Sequence, residues 1–427
     1  MGSATTPPPG VAGALPAGTH VAFLSWRDTA NPEGGGAERY LEKMTVGLVE
    51  RGCTVTVFCA AHDEAPADEV VDGVRYVRRG SKMSVYPHGM RALRSGLLDG
   101  PHGSPDVVVD VQNGLPFLSR LVTDAPVVVL CHHVHREQWP VVYPGPTGRV
   151  GWWVERRLAP RLYRRDQYVA VSSATKAELV ALGVDAERIA VVHNGTDPYV
   201  AVEPGKAERP LLTVVGRLVP HKQVEHAIDA AVSLAADHPG LRLHVVGSGW
   251  WAEELHAHAA RVDPEGRVVV FDGQVDEDRK HALYELAWVQ LLPSLKEGWG
   301  LVIGEAGMHA TPTLAYRAAG GTQESIEDGF SGLLLDTPEE LTAALRRVLD
   351  DEDLRLRLSR GALEVSHRFT WTQAQHSFAE VLRLAISGSR TSAADPGRVG
   401  VRAVSRPGSR TGSRPGMRRG LRRQPRG

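Results

Sequence analysis

Short apolar runs alternate with helical patterns along this chain, stop at a polar stretch, and then start again. No other feature constrains the fold as much. Strands separated by helix-length segments pair in parallel, and parallel sheets need helices on both faces. In the first half the apolar runs are His20–Trp26, Thr54–Cys59, Asp106–Val111, Pro126–Cys131, Tyr168–Ser172 and Ile189–His193. Ala37–Val49 sets Leu41, Met44, Leu48 and Val49 on one helical face, with Gly52 as its stop. Gly195 to Pro210 is rich in Pro, Gly and charge and reads as a linker. The rhythm resumes with strands Leu211–Gly216, Leu241–Val246, Val268–Phe271, Trp288–Leu292 and Thr313–Tyr316. Helices Val224–Asp237, Trp250–Ala260 and Asp276–Ala287 lie between them, and a helical tail runs from Pro338 to about Ala385.

The expected class is α/β, with two Rossmann-like doubly wound domains and an interdomain cleft. The boundaries read as a leader over 1–18, a first domain over 19–196, a linker over 197–210, a second domain over 211–368, a terminal helix over 369–386 and a tail over 387–427. Ligands of open α/β sheets collect beyond the carboxyl ends of the strands, so those loops carry the functional content.

Charge narrows the partners. The totals of 49 basic and 50 acidic residues hide a split. From Ser387 onward there are eleven arginines and one acid, Asp395; removing them leaves 38 basic and 49 acidic residues, a body of net charge −11. Such a body is a poor nucleic acid ligand. The Arg-rich tail reads either as solvated chain or as a weak electrostatic anchor on an anionic membrane. Cys53, Cys59 and Cys131 lack metal spacing and fit a reducing compartment. With no membrane-length apolar run and no signal-peptide core, the expected location is cytoplasmic, at most peripheral to the inner face of the membrane. Met1–Thr6 matches a myristoylation pattern too short to outweigh a plain leader.

The segment from Leu291 to Glu305 puts Glu297 and Glu305 eight positions apart across a turn punctuated by Gly298 and Gly300. If helical throughout, eight residues span about 12 Å, the reach from a ribose to the sugar beyond a diphosphate. Two solvated glutamates on a surface helix have the same spacing. Gly34-Gly35-Gly36 sits between the first strand and its helix, where backbone and helix start approach an anion closely. It lacks the spaced dinucleotide fingerprint, and a tight turn without ligand has the same composition. After the first strand of the second half, Arg217 offers a fork of donors and Lys222 a mobile charge. Gly247-Ser248-Gly249 follows another strand, and the Gly320-Gly321 loop follows strand Thr313–Tyr316 and opens a helix, as a further phosphate cradle. In Cys131-His132-His133-Val134-His135, His133 and His135 share a face if extended; without acidic or Cys partners at zinc spacing, a donor or polariser is favoured over metal. Asp276-Glu277-Asp278 reads as a helix cap.

These motifs, in their order, resemble family 4 of the retaining glycosyltransferases (glycosyl transferases group 1), from about Thr19 to Ala385. The resemblance implies the GT-B fold and transfer of a hexosyl group from a nucleotide-diphosphate sugar to a hydroxyl acceptor on a glycan, a lipid-linked molecule or a small molecule. The donor is a co-substrate, and neither cofactor nor metal is implied. By this resemblance Arg217 and Lys222 grip the diphosphate, Glu305 holds the ribose, and Glu297 touches the transferred sugar. His132 contacts that sugar too, with His133 a rival for the role. Gly35, Gly36, Gly247, Gly249, Gly298, Gly300 and Leu301 complete the nucleotide-sugar site. Trp299, Thr322 and Gln323 depart from the usual pattern. The segment from Phe369 resembles a helix that crosses back to the first domain, giving a hinge of two strands. The alternatives are a nucleotide-sugar epimerase on the same scaffold, or a non-catalytic nucleotide-sugar-binding protein. GDP-mannose, UDP-glucose and UDP-N-acetylglucosamine all fit as donors.

Overall fold

The computed structural model describes residues 15–199 and 205–388. The myristoylation pattern, most of the leader, part of the linker and the Arg-rich tail lie outside the described residues.

The first sheet contains β1 (His20–Leu24), β2 (Thr54–Cys59), β3 (Asp68–Val71), β4 (Val74–Arg78), β5 (Val107–Gln112), β6 (Val127–Cys131), β7 (Gln167–Ala170) and β8 (Ile189–Val191), in the order β3-β4-β2-β1-β5-β6-β7-β8. All its pairings are parallel except β3 with β4. That hairpin turns on Asp72 and Gly73, with φ of 49° and 79°, the left-handed pair of a tight two-residue turn. Strand–helix alternation does not predict it, because β3 is largely exposed and carries little apolar signal.

The interior strands are buried end to end because helices cover both faces of the sheet. On β5, Val107, Val109 and Val111 pack into one apolar cluster and Val108 into the cluster behind the sheet, the two-residue period of a strand.

The second sheet contains β9 (Leu211–Val215), β10 (Arg242–Val246), β11 (Val269–Gly273), β12 (Val289–Leu292), β13 (Thr313–Tyr316) and β14 (Gly332–Leu335), in the order β11-β10-β9-β12-β13-β14, all parallel. Loops that follow strands of both sheets line one cavity. The expected helical tail consists of Pro338–Asp350, Glu352–Ser366 and Trp371–Ile386. Asp351 and Thr370 end the continuity, since the side chain of each accepts an N–H from the helix that follows it.

The last helix belongs to the other half of the molecule. Trp371, Ala374, Phe378 and Leu382 enter the first-domain core, where the Phe378 ring lies 6.1 Å from Phe23 and 6.4 Å from Tyr40. The chain thus passes between domains twice, and the two crossings touch. Thr196 N–H donates to the Phe369 carbonyl at 2.9 Å, and Thr196 bridges Thr370.

Candidate active site

A cavity of about 1250 Å³ lies between the strand ends of the two sheets. Its first-domain wall begins with the glycine loop. Gly35 N–H donates to the Glu38 carboxylate at 2.8 Å, which folds the loop onto the start of helix Gly36–Glu50. Gly35 faces the Arg217 side chain and Gly36 faces Leu301, so both glycines look directly across the cleft. Beside the loop, Arg27 lies 4.4 Å over the Trp26 ring and pairs with Glu33 and Glu38 at 3.1 and 3.4 Å.

On the second-domain wall, the loop after β9 carries Arg217, His221 and Lys222. Arg217 has no carboxylate within ion-pair distance among the described residues. Its side chain is accessible from the cleft, yet protein surrounds it closely enough that desolvation, and next Arg27, lowers its pKa. Burial, then Lys222 and Arg217, pushes His221 down to about 4, so its ring is neutral at pH 7. Lys222 donates to Glu297 at 2.5 Å. Glu305 accepts from Tyr284 at 3.3 Å and pairs with Lys280 at 3.2 Å.

The eight-residue spacing is not a helical one. The helix spans Leu301–Met308, and Glu297 lies ahead of it in a turn bridged to Gly320. Gly300 takes φ 88° at the start of that helix. Gly298 permits a close approach between the domains: a Cβ there would fall 2.3 Å from the His132 carbonyl oxygen. Gly247 and Gly249 line the cleft, but their backbone also packs on Gly216 and Leu218 in the neighbouring loop.

The Gly320-Gly321 loop does not line this cavity, which corrects its reading as a phosphate cradle. Its helix is only Thr322–Ser325, and Gly321 packs on the Gly298 backbone. Glu324 instead reaches into the first domain. It accepts from Ala174 N–H at 3.1 Å and pairs with His193 at 3.0 Å. Burial would raise the Glu324 pKa, but His193 and the N–H groups of Ser173 and Ala174 together lower it.

The histidine run ends β6 at the cleft. His132 is buried edge-on to Tyr40 at 5.3 Å, and its Nε2 has no partner among the described residues. Burial lowers its pKa to about 4. His133 Nε2 lies 3.1 Å from the Gln138 side-chain oxygen, and its ring stacks on His135 at 4.2 Å.

His135 itself carries an arrangement that the sequence reading left out. The fully buried Glu155 accepts from His135 N–H at 3.1 Å and from Trp139 Nε1 at 2.7 Å, and lies 3.3 Å from His135 Nδ1. A carboxylate only accepts, so Nδ1–H donates and Nε2 is left facing the cleft. Glu155 sits twenty residues downstream, on a π-helical turn over Val154–Leu158, a link no local spacing reveals. Among the described residues no three His, Cys, Asp or Glu side chains are grouped as a metal site. The Asp276 carboxylate caps its helix, accepting from Arg279 N–H at 2.8 Å.

Residues 34–199 match the family model described as Glycosyltransferase Family 4, and residues 199–365 match the one described as Glycosyl transferases group 1. The chain belongs to the family 4 glycosyltransferases. This glycosyltransferase is 34% identical to D-inositol 3-phosphate glycosyltransferase of Acidothermus cellulolyticus over 251 residues, 53% of this chain and 55% of that one. It is 28% identical to glycogen synthase of Mycobacterium tuberculosis over 406 residues, 83% of this chain and 92% of that one. Among solved structures, sucrose-phosphate synthase from Thermosynechococcus elongatus superposes with a TM-score of 0.72 at 20% identity, covering 87% of this chain and 100% of that one. HepE from Anabaena in complex with UDP-glucose gives 0.66 at 20% identity, over 85% and 99%. The fold of the glycosyltransferase is GT-B.

Proposed function

We propose that this glycosyltransferase moves a hexosyl group, with retention and without an essential metal, from a nucleotide-diphosphate sugar to a hydroxyl acceptor. The observation that carries the reading is Arg217, a guanidinium exposed to the cleft with no carboxylate within ion-pair distance among the described residues. A diphosphate supplies the missing charge in the bidentate geometry that a guanidinium favours. Lys222 then shares its charge between Glu297 and the phosphate. Both cations face charge that grows as the bond from the sugar C1 to the diphosphate oxygen breaks, which is where preorganised charge lowers a barrier. The acceptor oxygen bonds C1 on the same face, and its proton passes to the departing diphosphate. Glu305 holds the ribose hydroxyls and Glu297 the hydroxyls of the transferred sugar. His132, and His135 fixed by Glu155, present ring nitrogens from the acceptor side. The glycines and Leu301 shape the nucleotide-sugar channel.

The likeness to HepE, whose structure holds UDP-glucose, favours a UDP-hexose as the first donor to test. A thermal-shift panel of UDP-glucose, UDP-N-acetylglucosamine and GDP-mannose ranks donors, since a ligand at 100 times its Kd stabilises by about 2.7 kcal/mol. Absence of a shift with every nucleotide-sugar overturns the reading. Binding without hydrolysis or transfer in the presence of acceptors marks a non-catalytic binder, and interconversion of the donor sugar marks an epimerase.

A further inference from the structure

The helical run from Pro146 to Leu162, together with the turn to Arg165, presents an unusual surface beside the mouth of the cleft. Arg149, Arg156, Arg157, Arg161, Arg164 and Arg165 are all exposed, and none lies within ion-pair distance of a carboxylate among the described residues. The single acid in the run, Glu155, is fully buried under His135 and Trp139. Six arginines against that one glutamate give the run a net charge of +5 on a body of net charge −11.

Apolar side chains share the same face. Val150 is 61% and Trp153 56% exposed, and Val141 and Val142 on the preceding short helix, Trp139–Val142, are exposed beside them. Val150, Trp153, Arg157, Arg161 and Arg164 recur three or four positions apart, so a single stripe mixes aliphatic, indole and guanidinium groups. The opposite face is closed: Gly148, Gly151, Glu155, Ala159 and Pro160 are buried, and a Cβ on Gly151 would strike the Trp139 ring.

We propose that this stripe is a docking surface for an anionic lipid bilayer. Interfacial helices combine Trp and aliphatic residues, which enter the headgroup region, with arginines that meet lipid phosphate. Nucleic acid would satisfy the arginines but leave the valines and Trp153 in water, and the acidic body would oppose it. Val141, Val142 and Val150 also line the cavity, so docking sets the acceptor side of the cleft against the membrane. An acceptor held in the bilayer would then reach the site without leaving it.

The test is co-sedimentation of the full chain with phosphatidylcholine vesicles, with and without phosphatidylglycerol. A basic residue near an anionic surface contributes about 1 kcal/mol, roughly fivefold in partitioning. The combined Arg156→Ala, Arg157→Ala, Arg161→Ala, Arg164→Ala variant therefore loses roughly 10²–10³ in affinity for anionic vesicles. The matching four-Lys variant keeps its affinity within a few-fold, and the Val150→Ala, Trp153→Ala pair loses the binding that survives high salt. Equal binding of wild type to neutral and anionic vesicles overturns the proposal. So does undiminished binding of the four-Ala variant, which would assign attachment elsewhere in the chain, or loss of binding in the four-Lys variant. Tighter binding to duplex DNA through the same four arginines would replace the bilayer with nucleic acid.

Discussion

At the scale of single residues, the proposed donor side sets Arg217 and Lys222 on one wall of the cleft. Lys222 pairs with Glu297, whereas Arg217 has no carboxylate within ion-pair distance among the described residues. Arg217→Ala and Lys222→Ala should each reduce kcat by about 10²–10³, the range for loss of one preorganised charge stabiliser. Near-normal turnover in both would remove their assignment. His132 gives a different handle. Its ring is held neutral, with a pKa near 4 in the folded protein against about 6.5 unfolded. The unfolded state therefore binds the proton first. The contribution of His132 to stability is whole above pH 6.5 and drains away as pH falls toward 4, on the order of 3 kcal/mol in total. Urea titrations over that window should show a flatter dependence in His132→Phe than in wild type; parallel curves would count against it.

Legibility at this scale tracks sequence distance. Arg217, Lys222 and Glu297 sit on turns and Glu305 on the helix that follows, each with a local signature, and the structure brings all four to one cavity. The histidine run is legible as a whole, but the link from His135 to Glu155 is not, since it depends on the π-helical turn that carries the carboxylate. Gly320-Gly321 misled for the opposite reason. Its local pattern suits a phosphate, but tertiary packing turns the loop onto the Gly298 backbone and sends Glu324 across to the first domain.

At the scale of elements, Glu324 is a cap supplied from outside. Helix Ser173–Ala181 starts in the first domain, and a second-domain carboxylate accepts one of its free N–H groups while holding His193. Lys296 forms a similar cross-domain pair with Glu178. Glu324→Ala leaves a helix N–H and a histidine unpaired and should cost about 1–2 kcal/mol, read as a lower urea midpoint with unchanged slope. A loss under about 0.5 kcal/mol, the scatter of ordinary surface changes, would mean that water replaces the carboxylate freely. Strands with apolar runs were legible because helices cover both sides of the sheet. The β3–β4 hairpin announced itself only through Asp72-Gly73, and the breaks at Asp351 and Thr370 only through capping side chains.

At the scale of the whole molecule, two cores of similar build face each other, and the sequence shows their repetition plainly. What it does not show is how closely they meet. Gly298 is one measure, because a methyl group there would overlap the His132 carbonyl. Gly298→Ala should hold the domains apart, so that kcat falls at least about tenfold while nucleotide binding to the second domain persists. Loss of both in proportion would mean that the substitution damages the nucleotide site itself.

The two paired crossings, at Thr196 and at Thr370, have a mechanical consequence. A single tether would let one domain swivel, twist and tumble against the other. Two strands fastened side by side act as a pair of door pins and leave essentially one rotation free. Along that single coordinate, any opening wide enough to release a nucleotide must also draw Glu324 away from His193 and Gly298 away from His132. Product exit and the breaking of the clasp are then the same event.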